Sequence, residues 1–201
     1  MTPEHFAGTN RTTGTNVPNV SVSAGGGTDG TRETPLKGCV SDVPPSCPVR
    51  PIVGFDPGLS GAGAVVTPSG DLVAVFDLPM MGEGKAARID ANLLARLIEE
   101  FAPASAVAEQ VGAMPKQGVA STFAFGRAVG VLAGVLGALA IPTTYVPPGT
   151  WKRFHHLSAA KEDARRRAIE LWPRQAHLFA RKKDHGRAEA ALIAKWGTVL
   201  R

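Results

Sequence analysis

Three short apolar runs rich in β-branched residues follow one another between Arg50 and Pro79: "RPIVGFD", "GAGAVVTP" and "DLVAVFDLP". A glycine-rich turn separates the first two, and "PSGD" separates the last two. Connections that short join antiparallel neighbours, because a parallel return needs a crossover of about a dozen residues or more. The core therefore begins as a three-stranded meander, which argues against a fully parallel doubly wound sheet.

After the meander the apolar period lengthens. "DANLLARLIEEFAP" repeats Leu93, Leu94, Leu97, Ile98 and Phe101 at helical spacing, with Asp90 placed to cap it and Pro103 to close it. "ASAVAEQV" reads as a buried strand, Val119 to Ala140 as a long helix of small residues and "IPTTYVP" as a fifth strand; "KEDARRRAIELWP" and "HGRAEAALIAKWG" supply the last two helices. The expected fold is α/β, a mixed five-stranded sheet flanked by helices in the order β-β-β-α-β-α-β-α, without internal repeats.

The first fifty residues differ in kind. Thr, Gly, Pro and Ser supply 25 of them and no apolar periodicity runs through them, so residues 1–50 read as a disordered arm and 51–201 as the one folded domain. Both cysteines, Cys39 and Cys47, lie in the arm, where a disulfide would staple nothing. The arm has no basic start followed by a continuous apolar core, so no secretory signal is read and a cytoplasmic location is expected.

The helix from Val119 carries Gly126, Gly130 and Gly134 four residues apart. Its apolar tail after Arg127 falls short of the roughly 20 residues that a bilayer requires, so no membrane partner is expected. Glycines at that spacing let another element approach closely, either inside the domain or across a dimer interface.

Charge is unevenly distributed. Residues 51–150 carry 5 basic and 8 acidic groups, whereas 151–201 carry 13 basic and 5 acidic. A basic end beside an acidic centre suits a nucleic-acid surface flanking a carboxylate site, and it also suits a solvated charged helix.

Asp56 ends its strand just before Pro57 and Gly58, where the chain must turn; Asp before Pro-Gly is also a common turn former. Glu109 interrupts a strand that otherwise reads as buried, and a buried carboxylate needs a partner or a cation. No basic residue lies near it in sequence. Glu189 sits among alanines and aliphatics in the last helix, with His185 one turn before it on the same face. Asp184 stands where that helix starts and can serve as its N-cap; it meets Glu189 only by preceding the regular helix, since five residues turn a helix by about 140°. Scattered carboxylates of this kind support two-metal phosphodiester cleavage, in which hard cations about 3.5–4 Å apart take oxygen ligands.

The motifs "GFDPGLSGAGAV", "AEQVGAMPKQG", "FAFGRAVGVLAG", "VPPGTWKR" and "RKKDHGRAEAALIAKWG" together resemble the RuvC-like Holliday junction resolvases, a branch of the RNase H-like superfamily, from about Pro51 to Gly197. The "DHGRAEA" spelling is similar to the phage, prophage and organellar type, whereas the housekeeping bacterial type spaces its final acidic pair three residues apart. The resemblance implies an RNase H-like fold and four acidic metal ligands at Asp56, Glu109, Asp184 and Glu189, with Asp184 and His185 competing for one role. It also implies two Mg2+ ions per site with Mn2+ able to substitute, and a homodimer that nicks four-way junction DNA symmetrically in recombination and repair.

For DNA contact the candidates are Lys116 and Gln117 after the Glu109 strand, Lys152 and Arg153 after Trp151, and Lys182 and Lys183 before the last helix. Phe123 and Phe125 could stack on an exposed base, core burial being the plainer reading for at least one of them. Arg165, Arg166 and Arg167 read first as a solvated helix face. The competing classes are an actin-like or sugar-kinase-type ATPase, for which about 150 ordered residues leave no second domain, a junction-binding module without catalysis, and a general branched-DNA nuclease.

Overall fold

The computed structural model describes residues 50–58, 60–112, 118–158 and 160–200. The arm therefore lies outside the described residues apart from Arg50, and so do both cysteines, Lys116 and Gln117.

Strands β1 (Ile52–Asp56), β2 (Ala62–Val66) and β3 (Leu72–Asp77) form the meander, with β1–β2 and β2–β3 antiparallel. The "PSGD" turn closes through a Gly70 N–H to Thr67 carbonyl bond of 2.8 Å, with Gly70 at φ 91°, a left-handed value that favours glycine. A two-stranded antiparallel hairpin, β4 (Met80–Met81) with β5 (Arg88–Ile89), follows; its strands are too short to have registered as an apolar run. Helix α1 (Ala91–Phe101) begins where expected, and Asp90 Oδ1 accepts from the N–H groups of Asn92 and Leu93 at 3.0 Å each.

Strand β6 (Ser105–Glu109) lies parallel to β1, and after α2 (Val119–Ala138) strand β7 (Thr143–Val146) lies parallel to β6. The five-stranded sheet runs β3-β2-β1-β6-β7. Three helices close the chain: α3 (Pro148–Phe154), α4 (Lys161–Leu171) and α5 (His185–Gly197). The sequence reading had no counterpart of α3, because seven residues beginning Pro-Gly carry too little apolar periodicity to show.

Side chains alternate across the sheet and build two cores. Val53, Phe55, Val65, Ala106 and Ala108 pack with α1 and α2 on one face, while Ile52, Ala64, Val66, Val107 and Val146 pack with Trp151, α4 and α5 on the other. Each fully buried large side chain, such as Phe55, Leu94 or Leu192, contributes about 1.5–3 kcal/mol, enough to hold both helix layers firmly on the sheet. His155 belongs to the second core; its Nε2–H donates to the Leu192 carbonyl at 2.8 Å, and burial pushes the ring down to about 4, so it stays neutral and ties α3 to α5.

Helix α2 bears on two expectations. Its 20 residues make it long and apolar enough to cross a membrane by length and composition, so tail length alone did not exclude a span. Ala128, Leu132, Val135 and Leu136 nevertheless bury themselves in the first core, and Arg127 Nη2 donates to the Ala87 carbonyl at 2.7 Å, which ties the helix to the domain. The glycines bear on the two alternatives left open for them. A Cβ on Gly126, Gly130 or Gly134 would meet nothing within 4 Å, so the ridge packs against none of the described residues and lies on the exposed face of α2.

Candidate functional site

The parallel register pairs Ile52 with Ser105 and continues to Phe55 with Ala108, so the next step sets Asp56 beside Glu109 at the carboxyl ends of adjacent strands. Alternation turns both towards α5, the face already occupied by Ile52 and Val107. In open α/β sheets this carboxyl end is where ligands bind.

Helix α5 can lie close because β1 carries no side chain at Gly54, midway along the strand. A Cβ on Gly54 would stand 2.3 Å from the Ala194 nitrogen and 2.5 Å from the Ala190 carbonyl oxygen, closer than any real contact. The same contact recurs at the N-terminus of α5, where a Cβ on Gly186 would lie 3.0 Å from Asp56 Oδ2. His185 and Glu189 consequently join Asp56, Ser60, Phe125 and Lys152 around one cleft of about 380 Å³.

Glu109 stands beside this cleft with partners from the far end of the chain. Trp151 Nε1–H donates to Glu109 Oε1 at 3.0 Å, and Lys152 Nζ lies 3.5 Å from Glu189 Oε1 and 5.1 Å from the Trp151 ring centre. Burial pushes the Glu109 carboxyl up and the negative charge of Glu189 adds to that; the Trp151 hydrogen bond and the Lys152 charge oppose it. The missing partner of Glu109 is thus an indole 42 residues away, which no local reading of "SAVAEQV" could supply.

Asp184 is placed differently from its neighbours. It is 2% exposed, accepts from the Arg181 backbone N–H at 2.8 Å and from Arg181 Nη2 at 2.8 Å, and lies 3.9 Å from Arg187 Nη1. It holds the N-cap position of α5, as expected, but its side chain is bonded to Arg181 and makes no cap bond there, and it does not line the cleft. The Arg181 guanidinium holds its carboxyl below the usual range. Between the two competitors, His185 is the one that faces Asp56 and Glu189.

Among the described residues no three acidic, histidine or cysteine side chains close into a ready-made metal cage. Lys152 supplies Glu189 with its counter-charge. The donor chemistry still fits a hard divalent cation: two carboxylates and an imidazole line the cleft, and a third carboxyl stands beside it, disfavoured as an anion by its burial.

No protein-family model matches the sequence, and no curated protein matches it. Solved structures do match. Thermus thermophilus RuvC in complex with a Holliday junction substrate is 16% identical, with a TM-score of 0.51 over 72% of this chain and 90% of that one. The yeast mitochondrial Holliday junction resolvase Ydc2 is 15% identical, with a TM-score of 0.50 over 77% of this chain and 81% of that one. The fold is RuvC-like.

Within this RuvC-like fold the basic residues divide into two groups. Arg166, the most exposed of its run, pairs with Asp163 as the solvated-face reading expects and Arg167 pairs with Glu170, whereas Arg165 is largely buried: besides pairing with Glu162, its Nε–H donates to the Phe179 carbonyl at 3.0 Å and its Nη2 to the Ala180 carbonyl at 2.8 Å. Lys182 and Lys183 are exposed in the turn before α5, Arg153 is exposed on α3, and Lys152 reaches into the cleft. The two aromatics also separate: Phe125 lines the cleft beside Gly58, whereas Phe123 is 71% exposed on the outer side of α2.

Several contributors to the site went unread in the sequence. Ser158, with Leu157 and Ala160, closes one wall of the cleft from the turn before α4. Arg187 makes a two-pronged bond to Asp77 at the end of β3, with Nε to Oδ1 at 2.7 Å, and so pins the first turn of α5 to the sheet. The "DHGR" spelling was visible, but which strand its arginine would reach was not.

Proposed function

We propose that this protein is a metal-dependent, structure-specific endodeoxyribonuclease that resolves four-way DNA junctions by paired symmetric nicks in recombination and repair. The observation that carries the reading is the adjacency of Asp56 and Glu109 at the carboxyl ends of two parallel strands, with α5 laying Glu189 and His185 over them. Solved proteins of the same fold include a RuvC in complex with a Holliday junction substrate and a mitochondrial Holliday junction resolvase.

Asp56, Glu109, Glu189 and His185 would hold two Mg2+ ions, or Mn2+ in their place, whose chemistry is to activate the attacking water and stabilise the leaving oxygen of an in-line displacement. Asp184 supports this set by fixing the turn that precedes α5. Lys152, Arg153, Lys182 and Lys183 hold phosphates, a contribution that weakens as salt rises. The exposed glycine ridge of α2, flanked by Phe123 and Val119, suits close packing against a second copy, and a two-fold pair gives one cleft for each nick.

The test is Asp56→Asn. Nicking of a synthetic four-way junction in Mg2+ should be lost while binding of the same junction in EDTA is kept. Wild-type-like cleavage by this variant would sink the assignment. Running mobile four-way, three-way and linear duplex DNA side by side separates a resolvase from a general branched-DNA nuclease.

A further inference from the structure

Trp151 is fully buried, and its only polar atom is spent on Glu109, Nε1–H to Oε1 at 3.0 Å. The geometry behind this bond is stiff. Glu109 pairs with Val146 in the β6–β7 ladder, and Gln110 N–H closes that pair on the Val146 carbonyl at 2.7 Å. Pro147 and Pro148 follow with restricted φ, and Pro148 opens α3 as its first residue. Trp151 is thus carried a fixed short distance from the strand partner of Glu109, while its ring packs in the core with Val146, Ala164 and Phe179.

A buried indole N–H needs an acceptor, and a carboxylate is the strongest that a side chain offers. Glutamate, in contrast, has enough rotatable bonds to leave its oxygens undirected unless something holds one of them. The next residue, Lys152, reaches Glu189, so two consecutive positions of α3 touch carboxylates from two different elements.

We propose that Trp151 is a positioning residue for the metal site: by holding Oε1 of Glu109 it fixes the side chain and leaves Oε2 as the oxygen offered to a divalent cation. This rests on the metal-site reading given above. Hydrogen-bonded supports of metal-ligating carboxylates typically change metal affinity by about 10- to 100-fold when removed.

The test uses the full chain. Trp151→Phe keeps an aromatic ring in the core and removes the N–H. Its Mn2+ dissociation constant, measured by electron paramagnetic resonance, should rise about tenfold, while junction affinity in EDTA stays at the wild-type value. A Mn2+ titration that superimposes on wild type overturns the proposal, and so does a parallel loss of junction affinity, which marks a general packing defect. A second measurement needs no change at Trp151. The chain has three tryptophans, so its indole 15N–1H signals can be assigned through Trp172→Phe and Trp196→Phe. The Trp151 signal should move on Mg2+ addition, whereas that of Trp172, whose N–H is bonded to the Gly70 carbonyl at 3.1 Å, should not. A Trp151 signal unmoved at saturating Mg2+ overturns the proposal. Wild-type protein that binds no Mn2+ removes the metal-site reading and this inference together; wild-type binding with an unaffected Trp151→Phe removes the inference alone.

Discussion

Gly54 and Ala194 are in backbone contact: a Cβ on Gly54 would overlap the Ala194 nitrogen at 2.3 Å and its Cα at 2.7 Å. This contact sets how far α5 sits above the sheet, and therefore how far Glu189 and His185 stand from Asp56. Because the obstructing atoms are backbone, they cannot rotate aside. Gly54→Ala should destabilise the domain by about 3 kcal/mol, the upper end of ordinary overpacking. Chemical denaturation measures this directly, and an unchanged midpoint would show that α5 is free to lift.

Glu109 makes the opposite kind of prediction, since its ionised form is disfavoured in the fold. A folded-state value raised above the unfolded one means that the native state binds the proton more tightly, so stability falls as pH rises through the window above about 4.3, the ordinary glutamate value. Glu109→Gln keeps an oxygen for the Trp151 N–H and removes the buried charge. It should therefore melt above wild type at pH 7, lose that advantage below pH ~4, and have no Mg2+-dependent nicking. Equal melting temperatures at both pH values would contradict the burial argument.

Asp184 separates a structural carboxylate from a ligand. Its bonds to Arg181 lower its folded-state value, so the stability it contributes is complete above the unfolded aspartate value of about 3.9 and is lost as pH falls through the lower folded value. Asp77, held down in the same way by Arg187, acts in the same direction. Asp184→Asn should cost about 2 kcal/mol at neutral pH, the scale of a lost hydrogen bond to a charged group, and leave the Mn2+ titration at its wild-type midpoint. Loss of Mn2+ binding with unchanged stability would instead make Asp184 the ligand.

The outer face of α2 tests the dimer. Open space around the Cβ position of Gly130 lets a side chain start there without a clash, and replacing a helical glycine gains up to about 1 kcal/mol of helix propensity. Gly130→Leu should hold or raise the melting temperature at low protein concentration while lowering the mass seen by sedimentation equilibrium. An unchanged dimer would place the interface elsewhere.

The meander, the capped α1, the boundaries of α5 and the mixed sheet were legible from the residues, because each depends on local signals: turn chemistry, a period of 2 or 3.6, or a cap. Asp56, Glu109 and Glu189 stood out for a related reason, as carboxylates set in apolar surroundings. The sequence alone could not tell whether Asp184 or His185 faces the cleft, because that turns on Arg181 drawing Asp184 back and on Gly186 letting the helix start against Asp56. Nor could it pair Glu109 with Trp151, or show that the glycines of α2 face outward rather than into the core. The Glu109–Trp151 bond spans 42 residues, the approach of Gly186 to Asp56 joins the last helix to the first strand, and the facing of the glycines depends on which side a largely apolar helix turns inward; only the packed sheet with its helices decides them.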